Sequence, residues 1–292
     1  MSLLPNRNAS PPSLEPSSDG HHRRGPTAGA EVRIRPLASI DDCNDCVELQ
    51  REVWGFEQPD IVPASLLHIV DYVGGIAAGA FDANGTLLGF VFGITGIHEG
   101  ELAHWSHMLG VSESARNMGV GRRLKEHQRS ELARLNVARI FWTFDPLMAK
   151  NAYFNLNRLG ARVVEYVPNL YGITHSPLHL GLPTDRLVVC LATAENQSSP
   201  LILPSDEDLP VMTAFPRPGD RTIDAGDERP PIALLEMPAE IFGDVSHAPA
   251  LATWRLSLRE YFQWALEHGY TTRGVHRIAT SGRSFYVMAR DA

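Results

Sequence analysis

From Glu31 onward, apolar residues recur either at every second position or three to four positions apart, and the alternation between these spacings predicts the elements. "EVRIRPL" alternates as a strand, after which Ser39 or Asp41 can cap a helix reaching Trp54. A second helix starts at Pro63 and covers "ASLLHIVDYV". "IAAGAFD" and "LLGFVFGITG" read as a hairpin rather than one membrane span, because Asp82, Asn84 and Gly85 interrupt the apolar run. After "HEGE" comes a further strand, "LAHWSHMLGV". In "VGRRLKEHQRSELARL" the residues Val120, Leu124, Leu132 and Leu135 share one helical face, and Asn136 supplies a left-handed stop. "ARIFWTF" is a buried strand, "PLMAKNAYFNLNRLG" a helix ending at Gly160, and "ARVVEYV" and "DRLVVCLA" are later strands.

This order predicts an α/β sheet domain over residues 31–194. Residues 1–30 carry Pro, Ser, Gly and "HHRRG" with almost no periodic apolar positions, so a disordered tail without a signal-peptide core is expected. Residues 195–230, rich in Pro, Asp and Ser, read as a linker. Beyond it lie a strand, "PIALLEMP", and a helix, "LATWRLSLREYFQWALEHG", with Leu251, Trp254, Leu258, Phe262 and Ala265 inward. "YTTRGVHRI" and "RSFYVMAR" read as a closing hairpin. A unit of this size, 231–292, buries little core alone and is expected to dock on the first domain as a small α+β extension.

Charge narrows the function. Over 292 residues the formal net charge is −8, with a pI of about 5.8, which removes any chain-wide footprint for nucleic acid or an anionic membrane. Any anion must be bound locally. Cys43 and Cys46 form a CxxC, but with Val47, Gln50 and Val53 they recur at the spacing of a buried helix face, so no metal is expected there. Three cysteines in so long a chain imply no disulfide framework, and a cytoplasmic setting fits.

"ARNMGVGRRL" supplies the candidate local site. Arg116, Gly119 and Gly121 fall between a strand and a helix, where unpaired helix-start amides and bare backbone let a phosphate approach. Arg122 and Arg123 follow Gly121 where a nucleoside-triphosphate loop needs Lys then Ser or Thr, and the turn comes too late and lacks the third glycine for a dinucleotide fold. Strand, RxxGxG turn, amphipathic helix, strand, Asn-bearing helix and "LGA" together resemble the GNAT superfamily of acyl-CoA-dependent acyltransferases. "VWGF", "SHMLGV", "WTFDPL", "NAYFNLNRLGA", "PNLYG" and "LPTDR" are similar to a predicted acyltransferase subfamily with a C-terminal extension, some relatives of which are associated with N-succinylation of amino acids.

That resemblance implies a mixed central sheet flanked by helices and acetyl-CoA or another acyl-CoA as co-substrate. The amides of Met118, Gly119, Val120 and Gly121 would hold the pyrophosphate, with Arg116, Arg122 and Arg123 as further hydrogen-bond donors to the remaining phosphate charge. The backbone of Leu109, Gly110 and Val111 would pair with the pantetheine arm, and Asn151 would contact it. The partner implied is a small-molecule amine; a homodimer is compatible, the extension lining either its own or a neighbouring subunit's pocket.

Transfer from a thioester to an amine needs a base, a polarised carbonyl and an acid for the leaving sulfur. Where many relatives carry an acidic Tyr four residues before the helix-ending Gly, this chain has Leu156. Tyr153, Tyr166 and Tyr171 are alternatives, with Tyr171 in "PNLYG" the candidate for the acid. His104 and His107 flank the cofactor strand, and His107 shares strand parity with Leu109 and Val111, making it the candidate base. Asp145 can attract an ammonium or cap the following helix, Arg186 can pair with a substrate carboxylate or with Asp185, and Trp54 and Phe56 can wall the acceptor pocket. N-acyl transfer, O-acyl transfer and a non-catalytic acyl-CoA sensor remain as alternatives.

Overall fold

Residues 31–55, 61–172, 181–194, 213–214, 231–238 and 248–290 are described in a computed structural model of the chain. The expected tail, nearly all of the expected linker, and Phe56 lie outside the described residues.

Seven strands form a sheet in the order β1-β2-β3-β4-β5-β7-β6, with β1 at Arg33–Pro36, β2 at Ile76–Phe81, β3 at Leu87–His98, β4 at Glu101–Val111, β5 at Arg139–Phe144, β6 at Arg162–Val167 and β7 at Arg186–Ala192. Every neighbouring pair is antiparallel except β4 with β5. Helices α1 (Ile40–Trp54) and α2 (Ala64–Ile69) cover one face, where Cys43, Cys46, Leu49 and Leu67 pack with Phe90 and Phe92. Helix α3 (Val120–Arg134) covers the other, its Val120, Leu124 and Leu132 packing with Ile140, Trp142 and Phe144. The central sheet flanked by helices agrees with the fold class expected from the sequence.

Local chemistry accounts for the boundaries. The Ser39 hydroxyl accepts from the Asp42 amide while the Asp42 carboxylate accepts from the Ser39 amide, a capping box that fixes the start of α1. Cys43 and Cys46 are free and fully buried, and desolvation pushes both thiols up, as expected of a packed helix face rather than a redox pair. Asn136 adopts φ 56 at the end of α3, the left-handed stop its position predicts. The next helix departs from expectation: α4 covers only Ala149–Tyr153 and continues as a π-helical turn over Phe154–Arg158 before Gly160 (φ 72).

The C-terminal residues form a four-stranded sheet, β10-β11-β9-β8, from β8 (Thr213–Ala214), β9 (Ile232–Met237), β10 (Tyr270–Arg277) and β11 (Ser284–Arg290). Helix α5 (Ala248–Glu267) buries Leu251, Leu258, Phe262 and Ala265 as its periodicity requires, and Arg255 and Tyr261 with them, while Trp254 is partly buried. Phe262 stacks on Tyr166 at 5.5 Å between centroids, and the Tyr286 hydroxyl donates to the Pro146 carbonyl at 2.7 Å. Among the described residues no helix is long and apolar enough to cross a membrane.

Candidate active site

Strands β4 and β5 are paired only through Ala103↔Arg139, His104↔Ile140 and Trp105↔Phe141. Past that rung β4 runs on to Val111 and β5 to Phe144 without pairing to each other, though each stays paired to its other neighbour, so the sheet forks. A bulge lies at the divergence: Gly93 stands opposite Ser106 and Phe92 opposite Met108, making His107 the extra residue of β4. The fork leaves main-chain donors and acceptors on the open edge of β4 with no strand to pair with, and such groups must find other partners.

The bulge also overturns the expected parity of His107. His104 and Ser106 face α3, where they meet Gln128 and Lys125. Beyond the bulge Leu109 and Val111 take that side, their methyls lying 3.5 and 3.7 Å from where a side chain on Gly121 would begin. His107 therefore falls on the opposite face, its ring edge-on to Phe92 at 6.2 Å, and it is exposed there. Trp54 closes the same face: it packs edge-on against Phe90 at 5.9 Å and lies so near Gly110 that an added methyl would sit 3.1 Å from its ring. His104 is fully buried, and desolvation, with the nearby Lys125 charge, pulls it down to about 3. It is neutral at physiological pH and enclosed, unlike a surface base.

The glycine turn ends beside the open edge. Asn117 (φ 64) and Gly119 (φ 76) are left-handed, and Gly119 is the N-cap of α3 without any side-chain cap. Arg116 and Met118 are exposed, Val120 is buried and anchors the helix, and Gly121 has only ordinary contact distances around it. The uncapped first turn thus presents its amides beside the end of β4. Arg122 pairs with Glu126 at 2.7 Å on the surface of α3. Arg123 is turned away, donating to the Val32 carbonyl at 2.5 Å. Asn151, exposed on α4, accepts from Asn155 Nδ2 through its side-chain oxygen (3.0 Å) and its carbonyl (2.9 Å).

At the far end of β5, Tyr171, Asp145 and Arg186 come together. The Tyr171 hydroxyl is 3.2 Å from Thr143 Oγ1, and the Arg186 guanidinium lies 5.5 Å from the Tyr171 ring. Asp145 takes neither expected role outright: Oδ1 accepts from the Leu147 amide at 2.9 Å, ahead of α4, whose N-cap is Met148, and Oδ2 meets the guanidinium groups of Arg186 at 3.4 Å and Arg255 at 2.8 Å. Arg186 bonds the main-chain carbonyl of Asp185. The Asp185 carboxylate is taken instead by Arg259, Tyr166 and the Asn169 amide. The Tyr166 phenol is buried with its proton committed to Asp185 at 2.7 Å, so it does not reach the fork as an acid; burial and Asp185 also push it up. Leu156, within the π-helical turn, is buried in the core.

Two residues escaped the sequence reading. Arg255 lies four residues after Leu251 and three before Leu258, on the face read as apolar, and that inward register was its only signal. Lys125 was marked by no pattern, yet it is 4% exposed.

No family model and no curated protein matches the chain. Solved structures that resemble it include the ribosomal-protein-S18-alanine N-acetyltransferase of Escherichia coli, at 17% identity and a TM-score of 0.44, covering 58% of this chain and 98% of that one. A putative acetyltransferase from Salmonella typhimurium with its cofactor acetyl-CoA is 18% identical, with a TM-score of 0.44 and coverage of 58% and 97%. Aminoglycoside 6′-acetyltransferase type Ii is 20% identical, with a TM-score of 0.45 and coverage of 57% and 99%.

Proposed function

We propose that the chain is an acyl-CoA-dependent N-acyltransferase that passes an acetyl or succinyl group to the amine of a small molecule. The observation that carries this reading is the open edge of β4 running into the uncapped, glycine-lined start of α3. A pantetheine arm bears amides that can pair with a free strand edge, and its pyrophosphate suits exposed helix-start amides. Few ligands combine both in one extended molecule. Leu109, Gly110 and Val111 would receive the arm, Met118 to Gly121 the pyrophosphate, Arg116 and Arg122 further phosphate charge, and Asn151 the arm's other side.

The acceptor would enter on the face of Trp54 and His107. His107 takes a proton from the ammonium directly or through water, the amine nitrogen then attacks the thioester carbonyl carbon, and the carbon–sulfur bond breaks as the amide forms. Tyr171 supplies a proton to the departing thiolate and is restored by the second proton, which the attacking nitrogen sheds on becoming an amide; His107 returns its proton to solvent as the product amide and free CoA leave. No covalent acyl-enzyme is involved. Arg186 would hold a carboxylate of the acceptor or the donor, and Asp145 positions Arg186 rather than binding an ammonium itself. Residues 231–292 serve the same unit, since Arg255 reaches Asp145.

A non-catalytic acyl-CoA sensor is the second reading, favoured by the buried Leu156 where relatives carry their acid. The test is free-thiol release across acetyl- and succinyl-CoA with a panel of amines and amino acids. Amine-dependent release supports the enzyme; CoA binding without any release supports the sensor.

A further inference from the structure

Behind the fork, on the α3 face, lies a buried polar network that the transfer reaction does not use. Its centre is Lys125, whose Nζ donates to Ser106 Oγ at 2.6 Å and to Gln128 Oε1 at 3.4 Å and stands 4.0 Å over the Trp142 ring. Ser106 and Trp142 are the residues that immediately follow the last paired rung, Trp105↔Phe141. The ammonium therefore contacts both arms of the fork at the first rung that fails to form. No carboxylate among the described residues pairs with it, so an ammonium is held in the core by an alcohol, an amide and an aromatic face alone. That is an unfavourable arrangement for stability.

The rest of the network has fixed directions. The Thr95 hydroxyl donates to the Gly74 carbonyl at 2.5 Å, so its oxygen accepts from His104 Nδ1 at 2.9 Å. His104 Nε2 is then an acceptor for Gln128 Nε2 at 3.0 Å, which turns Gln128 Oε1 toward Lys125. On the other side Trp142 Nε1 donates to Asn155 Oδ1 at 2.9 Å, and Asn155 donates to Asn151, on the rim of the cleft.

We infer that Lys125 is a positioning residue of the acyl-CoA cleft: from behind the sheet its ammonium fixes the separation of the two arms and, through Trp142 and Asn155, the placement of Asn151. The inference rests on the function proposed above. A residue kept for stability would be paired or replaced by an apolar one; this charge is costly where it stands and joins the elements that frame the cleft. Burial pulls Lys125 down to about 7, so the charge is present below that pH and lost above it. Around it α3 presents Gln128, β4 presents Ser106 and His104, and β5 presents Trp142; His104 is the titratable group among them, and it stays neutral.

The test is calorimetric binding of CoA to the full chain, with thermal melting, for the wild type, Lys125→Met and Ser106→Ala between pH 6 and 9. Lys125→Met should melt at the same or a higher temperature yet bind CoA at least tenfold more weakly at pH 6. The difference between the two proteins should shrink as pH rises through 7, a comparison in which CoA's own titration cancels. Ser106→Ala should weaken binding in the same sense, and it decides the question if Lys125→Met does not fold. Wild-type affinity in a folded Lys125→Met, or a pH-independent loss, overturns the role of Lys125. A wild type that does not bind CoA refutes the proposed function itself, and the inference with it.

Discussion

The side chain of Asn157 pairs with Val275 as a strand residue would: Nδ2 donates to the Val275 carbonyl at 3.0 Å, and Oδ1 accepts from the Val275 amide at 2.9 Å. One amide in the π-helical turn thereby satisfies both main-chain groups of a residue in β10 across 118 positions of sequence. Asn157→Ala leaves both of these half-buried groups without their partners, which should cost about 1–3 kcal/mol. A urea unfolding midpoint equal to that of the wild type would show that the contact contributes nothing.

Gly121 separates backbone geometry from ligand binding. Its φ is not left-handed, and the nearest atom to an added methyl is Leu109 Cδ2 at 3.5 Å. Gly121→Ala should therefore fold, with up to about 1 kcal/mol gained in helix propensity. Gly121→Glu should also fold but lose CoA binding, because its carboxylate stands where the pyrophosphate is proposed. Calorimetry on both variants decides: undiminished affinity in the Glu variant removes the phosphate site from this turn.

Tyr171→Phe keeps the ring under Arg186 and removes the hydroxyl near Thr143. If that phenol protonates the leaving thiolate, turnover falls by about 100-fold while donor affinity changes little. Equal loss in both, or none, would move the acid to Tyr153, which is exposed.

Arg186→Met should raise the Michaelis constant about 10- to 100-fold for carboxylated substrates and leave neutral amines with acetyl-CoA unaffected, since a charged hydrogen bond to a carboxylate contributes about 1.5–3 kcal/mol. The comparison is steady-state kinetics on both substrate classes. Indiscriminate loss would mean that Arg186 only braces Asp145.

His104 ties stability to pH. Its value in the fold lies near 3, below the ordinary 6.5, so between those limits the unfolded chain binds a proton that the folded chain does not. Stability is fully present above 6.5 and declines as pH falls toward 3, at a slope approaching about 1.4 kcal/mol per pH unit from this group. His127, lowered by burial, acts with the same sign. Unfolding free energies measured from pH 7 to 5 should fall in the wild type and flatten in His104→Gln; parallel curves would contradict the assignment.

The sequence by itself determined most of the elements, the π-helical turn and β8 apart, because their causes are local. Alternation marked β1 and apolar runs between polar breaks marked the later strands of the first sheet, the spacing of Cys43, Cys46 and Gln50 marked the buried face of α1, and Ser39, Asn136 and Gly160 supplied chain ends whose backbone chemistry is carried by one or two residues. The turn at Gly119 was legible for the same reason. Only the tertiary structure decided the rest. A bulge inserts one residue without disturbing the composition of a strand, so counting by twos placed His107 on the wrong face. Arg255 meets Asp145 across 110 positions, and no periodicity connects them. Lys125 sits under the fork because β4 and β5 part there. Where two strands stop pairing depends on what is packed behind both, and that is settled by contacts between distant segments.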